Sequence, residues 1–459
     1  MGSLLRLPDE LLLLIVSYFD SFLCKNDLTA LCLTSSRLCS IAQPVLHNQF
    51  VREAQCLCCR NQETGQSGLV SLIRFARTIV TRPDLGARVR EASFDTFEEE
   101  DLDYVRKAAL DGDTLETLQT GLESLPAAMA DRLSPGIAGV STNPYIALLA
   151  YSMPNLEHLY LVLGEEGLDE LAPLFTSLPE YGVKQPFLKK LKSIVIKDMT
   201  DTCSESLSNI EHVLKLPQLQ SFTINCLDGD SDYCPQFDIA PGTLNVSYLT
   251  FLETCLDAER LTRIVAGCKS LKFFDYRQRT FDNDGIGHCQ FEALKLVSIL
   301  ESQTKSLKTL KLYLDWSEDY PETLASCSKI GSLASFTEMC HLEVDQYSLS
   351  SYPSEELPPS LHCLTIRNIS FPIYSTLTSI SGKHSNATLR VVTLEPRDRH
   401  PNEMLEIRNK FEPRKISSNF SVANKFRKAY ARISDIIKEA PFTLYIEDET
   451  YEEWLSGSY

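Results

Sequence analysis

Two segments of this sequence carry side chains that metal ions bind. Residues 56–59 form a Cys-x-Cys-Cys group, which lacks the Cys-x-x-Cys spacing of structural zinc sites. Aspartates alternate along residues 228–232 as at the start of a calcium loop, but Tyr233 and Ile239 occupy the positions where that loop needs Gly and Glu. The sequence therefore predicts an acidic loop and free thiols here, and no metal site.

Catalysis and cofactor binding lack their usual sequence signals. There is no phosphate-binding P-loop, G-x-G-x-x-G, H-E-x-x-H or G-x-S-x-G motif. Gly285-x-Gly287 is only a fragment of a phosphate loop and is typical of a surface turn. The 8 histidines are dispersed, and none is paired in sequence with a plausible nucleophile. We therefore predict a protein that is not an enzyme and that needs no cofactor.

The net charge and the length of the chain exclude further classes of protein. The chain has 44 Lys plus Arg against 62 Asp plus Glu, a net charge of −18, which argues against a general nucleic-acid or anionic-membrane binder. Its 459 residues, 43% of them hydrophobic, correspond to about three domains or to one extended repeat architecture. Fifteen cysteines scattered through so long a chain favour reduced thiols.

Targeting signals are also missing. The longest wholly apolar run is Leu11–Val16, far shorter than the roughly 18 residues that span a bilayer. It follows Pro8 and two acidic residues, so it does not read as a signal-peptide core. We expect a soluble protein of the cytoplasm, the nucleus or both, without a membrane partner.

The first fifty residues predict short amphipathic helices. Residues 5–19 begin with Pro8 in the first turn and continue with a single apolar stripe at helical spacing. Residues 27–47 repeat the pattern, with a break at Thr34–Ser36 and Pro44 as a stop. Fifty residues cannot bury this much apolar surface internally, which indicates a binding partner.

This arrangement resembles an F-box over about 45 residues. The family's opening Leu-Pro-x-Glu-Leu-Leu is present, and its second half is matched around Leu-Thr-Ser and Arg37, although Ser36 extends it by one residue and His47 replaces a Tyr. The resemblance implies docking on the Skp-family adaptor of a cullin-based ubiquitin ligase, by a helix-in-groove mode. A helical cap on the following domain is the alternative. The adaptor-binding residues so implied are Leu7, Pro8, Leu11, Leu12, Ile15, Tyr18, Leu28, Leu31, Leu38, Ile41 and Pro44.

A repeated hexamer, apolar-x-x-apolar-x-apolar, follows this segment. Its intervals average about 29 residues, within or near the leucine-rich-repeat range, and helix-like segments lie between the hits. An earlier, weaker unit covers Val89–Phe94, whereas 97–145 contains helical segments and no convincing strand. None of the ninth positions carries the Asn or Cys of regular leucine-rich repeats, so another α/β domain is the alternative. The nine hexamers begin at residues 156, 191, 219, 246, 271, 307, 339, 361 and 389.

We therefore predict an α/β protein in which a helical F-box precedes an irregular leucine-rich-repeat-like solenoid, similar to fungal F-box leucine-rich proteins. The expected domains are an F-box at 1–50, a linker at 51–68, the solenoid at 69–397 and a helical cap with an acidic tail at 398–459. An amphipathic helix at 422–437 would belong to that cap.

In such a solenoid, the fifth and seventh residues of each unit face the concave surface, where a target protein would bind. The row is mostly neutral at first and carries both signs of charge from Asp275 onward. The resemblance implies a substrate receptor of a ubiquitin ligase whose target is unknown, and a scaffold acting outside any ligase is the alternative. The candidate target-binding residues are Tyr160, Lys197, Asp275, Arg277, Lys311, Tyr313, Glu343, Asp345 and Arg367.

Overall fold

The chain is a mixed α/β protein with parallel strands, and it separates into two compact units. Unit 1 contains Met1–Asp238 and Leu244–Val246, and unit 2 contains Ile239–Thr243 and Ser247–Tyr459. The computed structural model describes residues 6–19, 24–50, 68–94, 102–163, 168, 171–175, 187–198, 207–225, 227, 238–254, 256, 258–278, 293–314, 329–349, 356–369, 374–381, 388–396 and 443–446.

Unit 1 opens with three short helices: α1 (Asp9–Ser17), α2 (Lys25–Thr34) and α3 (Ser36–Leu46). The predicted break falls at Ser35, whose extended backbone ends α2 and whose Oγ accepts a hydrogen bond from the Leu38 N–H at 3.2 Å, so that it caps α3. The prediction that Pro44 stops the helix is wrong, because α3 continues to Leu46. Pro44 lies in the last turn, where its missing N–H removes only one bond.

The three helices share one apolar core. Because α1 and α3 pack together and α2 packs on α3, each helix contributes one side to it. Arg37 of α3 fixes the start of α1: its guanidinium donates to Asp9 Oδ1 at 2.8 Å and to the Leu7 carbonyl at 2.7 Å. We call the three helices and their shared core the helical module. The fully buried residues of this core are Leu12, Val16, Leu28, Leu38, Ile41 and Ala42.

The helical module is joined to the rest of unit 1 by only two residues, His47 and Asn48. Strand β1 (Gln49–Phe50) follows at once, and the Asn48 carbonyl accepts a hydrogen bond from the Arg90 N–H at 2.8 Å. The Phe50 ring stacks on Phe75 with ring centroids 3.9 Å apart. The last helix of the module is thus connected rigidly to the first strand.

The remaining helices of unit 1 lie between parallel strands. After β1 come α4 (Gly68–Thr81), α5 (Pro83–Gly86), β2 (Glu91–Phe94), α6 (Leu102–Ala109), α7 (Gly112–Glu123), α8 (Ala127–Gly139), α9 (Thr142–Ser152), β3 (His158–Leu163), α10 (Ala172–Phe175), β4 (Ser193–Asp198), α11 (Leu207–Leu214) and β5 (Ser221–Asn225). Each of β1–β4 pairs in parallel with the next strand in chain order.

Residues 102–152, all of which the structure describes, form four helices and no strand. Helix α4 packs against α6, α7 and α9 of this group, and the apolar helix α9 also packs against α8. The Tyr145 hydroxyl, buried in α9, donates to the Ile137 carbonyl of α8 at 2.7 Å. The sequence prediction of helices without a placeable strand in this region is confirmed, and the helices form an insertion between β2 and β3.

The described part of unit 2 contains seven strands and three α-helices. These are β6 (Tyr248–Thr254), α12 (Ala258–Gly267), β7 (Phe273–Gln278), α13 (Ala293–Leu300), β8 (Thr309–Tyr313), β9 (His341–Asp345), β10 (Cys363–Ile369), α14 (Tyr374–Ser381), β11 (Val391–Pro396) and β12 (Thr443–Ile446). Each strand pairs in parallel with the next. The helix predicted at 422–437 lies outside the described residues.

All nine hexamers form strands, and each strand begins two residues after the first apolar residue of its hexamer. The first, fourth and sixth residues of every hexamer are buried, as Leu307, Leu310 and Leu312 illustrate with no exposed surface. The fifth and seventh residues lie on the opposite side of the strands, because successive side chains of a strand alternate. The hexamer therefore defines one apolar and one polar strand face.

Neighbouring repeats are also joined by polar side chains just before the hexamers, which the sequence analysis did not single out. Asn155, Asn245 and Thr388 each donate to a carbonyl in the turn of the preceding repeat, at 2.7 to 2.8 Å. Buried Gln303 accepts from the Leu271 N–H and donates to two carbonyls, all at 3.0 Å. These bonds connect each repeat to the turn of the repeat before it.

Candidate functional sites

Helix α1 has a buried side and an exposed apolar side. Leu12 and Val16 pack into the helical module, whereas Leu11, Leu14, Ile15 and Tyr18 are exposed. The four exposed residues recur at i, i+3, i+4 and i+7, which places them on one face of the helix. We call this face the α1 stripe. It is a continuous apolar surface that no described residue covers.

The predicted adaptor-binding residues therefore divide into two groups. Pro8, Leu11, Ile15 and Tyr18 are exposed, and they can contact a partner directly. The structure adds Leu14 and Leu33 to the exposed apolar residues, which sequence spacing had not selected. The others support the module from inside, with Leu12, Leu28, Leu38 and Ile41 buried and Leu7, Leu31 and Pro44 half-buried.

The polar strand face of unit 2 brings most of the predicted target-binding residues together. The register places Asp275 of β7, Lys311 of β8 and Glu343 of β9 side by side. Two residues further along the strands, Arg277 is opposite Tyr313 and Asp345 is opposite Arg367. We call these seven residues, Asp275, Arg277, Lys311, Tyr313, Glu343, Asp345 and Arg367, the strand-face cluster.

Glu343 is the centre of the strand-face cluster. Its carboxylate pairs with Lys311 Nζ at 2.7 Å and with Arg367 at 3.6 Å, and it accepts a hydrogen bond from the Tyr313 hydroxyl. Burial alone would raise the pKa of Glu343, but the hydrogen bonds from Lys311 and Tyr313 and the nearby positive charges lower it below its ordinary value. Glu343 is therefore charged and fixed in place.

The Tyr313 ring of β8 contacts two arginines, Arg277 of β7 and Arg367 of β10. The Arg277 guanidinium carbon lies 4.4 Å from the Tyr313 ring centroid, and that of Arg367 lies 4.6 Å away. Both contacts are cation–π interactions, which are worth about 0.5–2 kcal/mol each. Burial and the bond to Glu343 raise the pKa of Tyr313, so its hydroxyl stays protonated and donates.

The acids of the strand-face cluster lie deep, and the cations reach outward. The Asp275 side chain is 6% exposed and pairs with Arg277 at 3.3 Å, whereas the Arg277 side chain is 43% exposed. Burial raises the pKa of Asp275, and this effect exceeds the lowering by Arg277. Asp345 is buried and accepts from the Leu314 N–H at 2.8 Å. The exposed part of the cluster is consequently positive.

The polar strand face of unit 1 has a simpler composition. Tyr160, Val195 and Thr223 are in register across β3, β4 and β5. The exposed Lys197 lies over the Tyr160 ring, with Nζ 5.5 Å from the centroid. The prediction that the row begins mostly neutral and becomes charged from Asp275 onward agrees with these contacts.

Reactive groups are few among the described residues. No group of three or more His, Cys, Asp or Glu side chains within them is arranged to hold a metal ion. The described cysteines are free thiols, and burial raises the pKa of Cys268 to about 12. The segments 56–59, 228–232 and 285–287 lie outside the described residues. In the part that the structure describes, no helix has the length and apolar character needed to cross a bilayer.

Comparisons with known proteins found no match. No model of a known protein family matches the sequence, and no curated protein matches it either. The function must therefore be inferred from the α1 stripe and the strand-face cluster, which differ completely in chemistry. One is apolar and uncharged, and the other is a network of paired charges around an aromatic ring.

Proposed function

We propose that this protein is the non-catalytic substrate-recognition subunit of an SCF-type ubiquitin ligase. The helical module would be an F-box that docks the Skp-family adaptor and, through it, a cullin. The parallel-strand repeats would form a leucine-rich-repeat-like solenoid that binds the protein to be ubiquitylated. This proposal combines the sequence resemblance with two surfaces of suitable chemistry.

The observation that carries the proposal is the α1 stripe. Leu11 and Ile15, two residues that the resemblance places against the adaptor, are exposed although α1 belongs to a well-packed helical core. Burying apolar surface from water yields about 25 cal/mol per Å², so exposed leucines are a source of binding energy for a groove that accepts a helix. An internal cap would instead bury this side of the helix.

The polar strand faces support the second part of the proposal. Parallel strands joined through helices present one row of side chains per repeat, and such rows form extended platforms for protein ligands. The strand-face cluster offers tyrosine and arginine, which dominate the energetics of protein interfaces. The subunit would hold its target close to the ubiquitin-charged enzyme and so raise the effective concentration of the target's lysines.

Adaptor binding can be tested with two variants of the same helix. We expect the double variant Leu11→Ala with Ile15→Ala to lose co-purification with a Skp-family adaptor, because it removes the centre of the α1 stripe. Leu13→Ala is the matched control, since Leu13 is 49% exposed against 46% for Leu11 but points away from the stripe. Its adaptor binding should be retained.

The same pull-down separates ligase assembly from an F-box scaffold. Cullin should co-purify with the wild-type chain and be lost with Leu11→Ala and Ile15→Ala. An adaptor complex without cullin would favour a scaffold outside any ligase. Equal adaptor binding by the wild type and the double variant would overturn the proposed docking surface.

A further inference from the structure

The strand-face cluster has the properties of a preorganised anion site. Its three carboxylates are buried, with the Glu343 side chain 10% exposed, and each accepts bonds from within unit 2. The side chains of Arg277, Arg367 and Lys311 are 43%, 32% and 29% exposed. The buried acids hold the cations in place, and the cations present their outer edges to solvent.

The distance between the two guanidinium carbons has an upper limit. Since each lies within 4.6 Å of the Tyr313 ring centroid, their carbons are no more than about 9 Å apart. In an extended peptide, side chains at i and i+2 lie on the same side about 7 Å apart. The spacing of two carboxylates with one residue between them therefore falls within the limit set by the two arginines.

Preorganisation favours binding at this site. A flexible arginine loses side-chain entropy when it binds a carboxylate, about 0.5–1.5 kcal/mol for each immobilised side chain. Arg277 is already held by Asp275 and by the Tyr313 ring, so most of that cost is met during folding. Arginine also matches the planar carboxylate better than lysine does, because its fork of N–H donors can form two parallel bonds.

We propose that the strand-face cluster binds an extended acidic segment of the target that carries an acid-x-acid motif, with one carboxylate on Arg277 and the next on Arg367. This inference deepens the proposed function, because it rests on unit 2 being the target-binding part. The segment crosses β7 to β10 over the edge of Tyr313. The ligand chemistry is a pair of carboxylates on one extended chain.

The test measures binding of a fluorescent peptide, Gly-Ser-Glu-Ser-Glu-Ser-Gly, to the full-length chain by anisotropy. We expect Arg277→Gln and Arg367→Gln each to weaken binding by about tenfold or more, because each removes one charge-assisted contact. The matched control is Arg263→Gln, which removes an arginine of helix α12 whose side chain is 41% exposed, against 43% for Arg277. Its affinity should equal that of the wild type.

Two further peptides decide between ligand chemistries. A Gln-for-Glu peptide should bind the wild-type chain at least about tenfold more weakly than the Glu peptide. A peptide with phosphoserine at both Glu positions that binds far more tightly than the Glu peptide would overturn the carboxylate assignment. Equal binding of the Glu and Gln peptides, or equal loss in Arg263→Gln and Arg277→Gln, would overturn the site itself.

A measurement on the wild-type chain guards against variants that fail to fold. Peptide affinity should fall as sodium chloride rises from 50 to 500 mM, because exposed charge pairs are screened; salt-independent affinity would contradict the proposal. Adaptor co-purification is followed in parallel. If adaptor and cullin bind while the Glu peptide does not, this inference fails and the proposed function stands. If the peptide binds but the adaptor does not, the anion site stands and the proposed function fails.

Discussion

The helical module exposes apolar side chains to solvent, whereas the strand-face cluster buries charged ones. In the module, leucines occur on both sides of α1, and one side remains in solvent without any charged partner. In the cluster, carboxylates are buried beneath cations that neutralise them. The module can therefore bind a partner through shape and apolar contact, whereas the cluster can bind a charged ligand. The two surfaces therefore do not compete for the same binding chemistry.

The largest expected effect is a difference in stability between substitutions on the buried and the exposed sides of α1. Leu12→Ala should lower the free energy of unfolding of the helical module by about 2–5 kcal/mol, because it leaves a cavity in a closed core. Leu11→Ala should change it by no more than about 0.5 kcal/mol. Hydrogen–deuterium exchange over residues 9–46 measures both. Similar protection in the two variants would mean that α1 has no preferred buried side.

The next effect concerns the centre of the strand-face cluster. Glu343→Gln should lower the stability of unit 2 by about 1.5–3 kcal/mol, because Lys311, Tyr313 and Arg367 lose a charged acceptor. Glu259→Gln is the control, since Glu259 pairs with Arg263 on the exposed surface of α12 and should contribute little. Urea unfolding followed by exchange in β8–β10 gives the comparison. A loss no greater than that of the control would show that the cluster is not a stabilising network.

A smaller effect appears as pH dependence. Burial raises the pKa of Asp275, so its charged form opposes folding, and this penalty is relieved as pH falls through the raised pKa. The pKa of Glu343 is lowered, so its stabilisation is present above its ordinary pKa and is lost as pH falls through the lowered value.

Asp275→Asn should therefore remove a gain of stability on mild acidification, and Glu343→Gln should remove a loss at lower pH. Thermal unfolding of the full-length chain between pH 7 and pH 3 measures both slopes. Identical pH profiles for the two variants would show that the two carboxyl groups occupy equivalent environments.

The smallest expected effect is in unit 1. Lys197→Gln should lower stability by no more than about 1 kcal/mol, because its contact with Tyr160 is an exposed cation–π interaction. Thermal unfolding beside Arg277→Gln gives the measurement. A loss as large as that of Arg277→Gln would remove the distinction between the neutral and the charged strand faces.

Sequence reasoning could predict the strands and their register because the hexamer alternates apolar and polar positions. It placed Asp275, Lys311 and Glu343 at equivalent positions of successive repeats, and the structure brings them side by side. It could not choose the buried side of α1, since Leu11–Val16 are all apolar and the choice depends on packing against α3. The turn bonds of Asn155 and Thr388 were missed because their acceptors are carbonyls, which leave no trace in a sequence.

The two residues that join α3 to β1, His47 and Asn48, determine the direction in which the α1 stripe points relative to β1. A helical residue turns the chain by about 100°, and β1 is fixed by the Phe50 stack on Phe75. One helical residue added after Leu46 would leave the contacts of Val45 and Leu46 with the module core in place, yet would rotate the whole module about the axis of α3 relative to β1. The α1 stripe would then point in a different direction relative to the strands of unit 1, so the number of residues between α3 and β1 sets the direction of this surface.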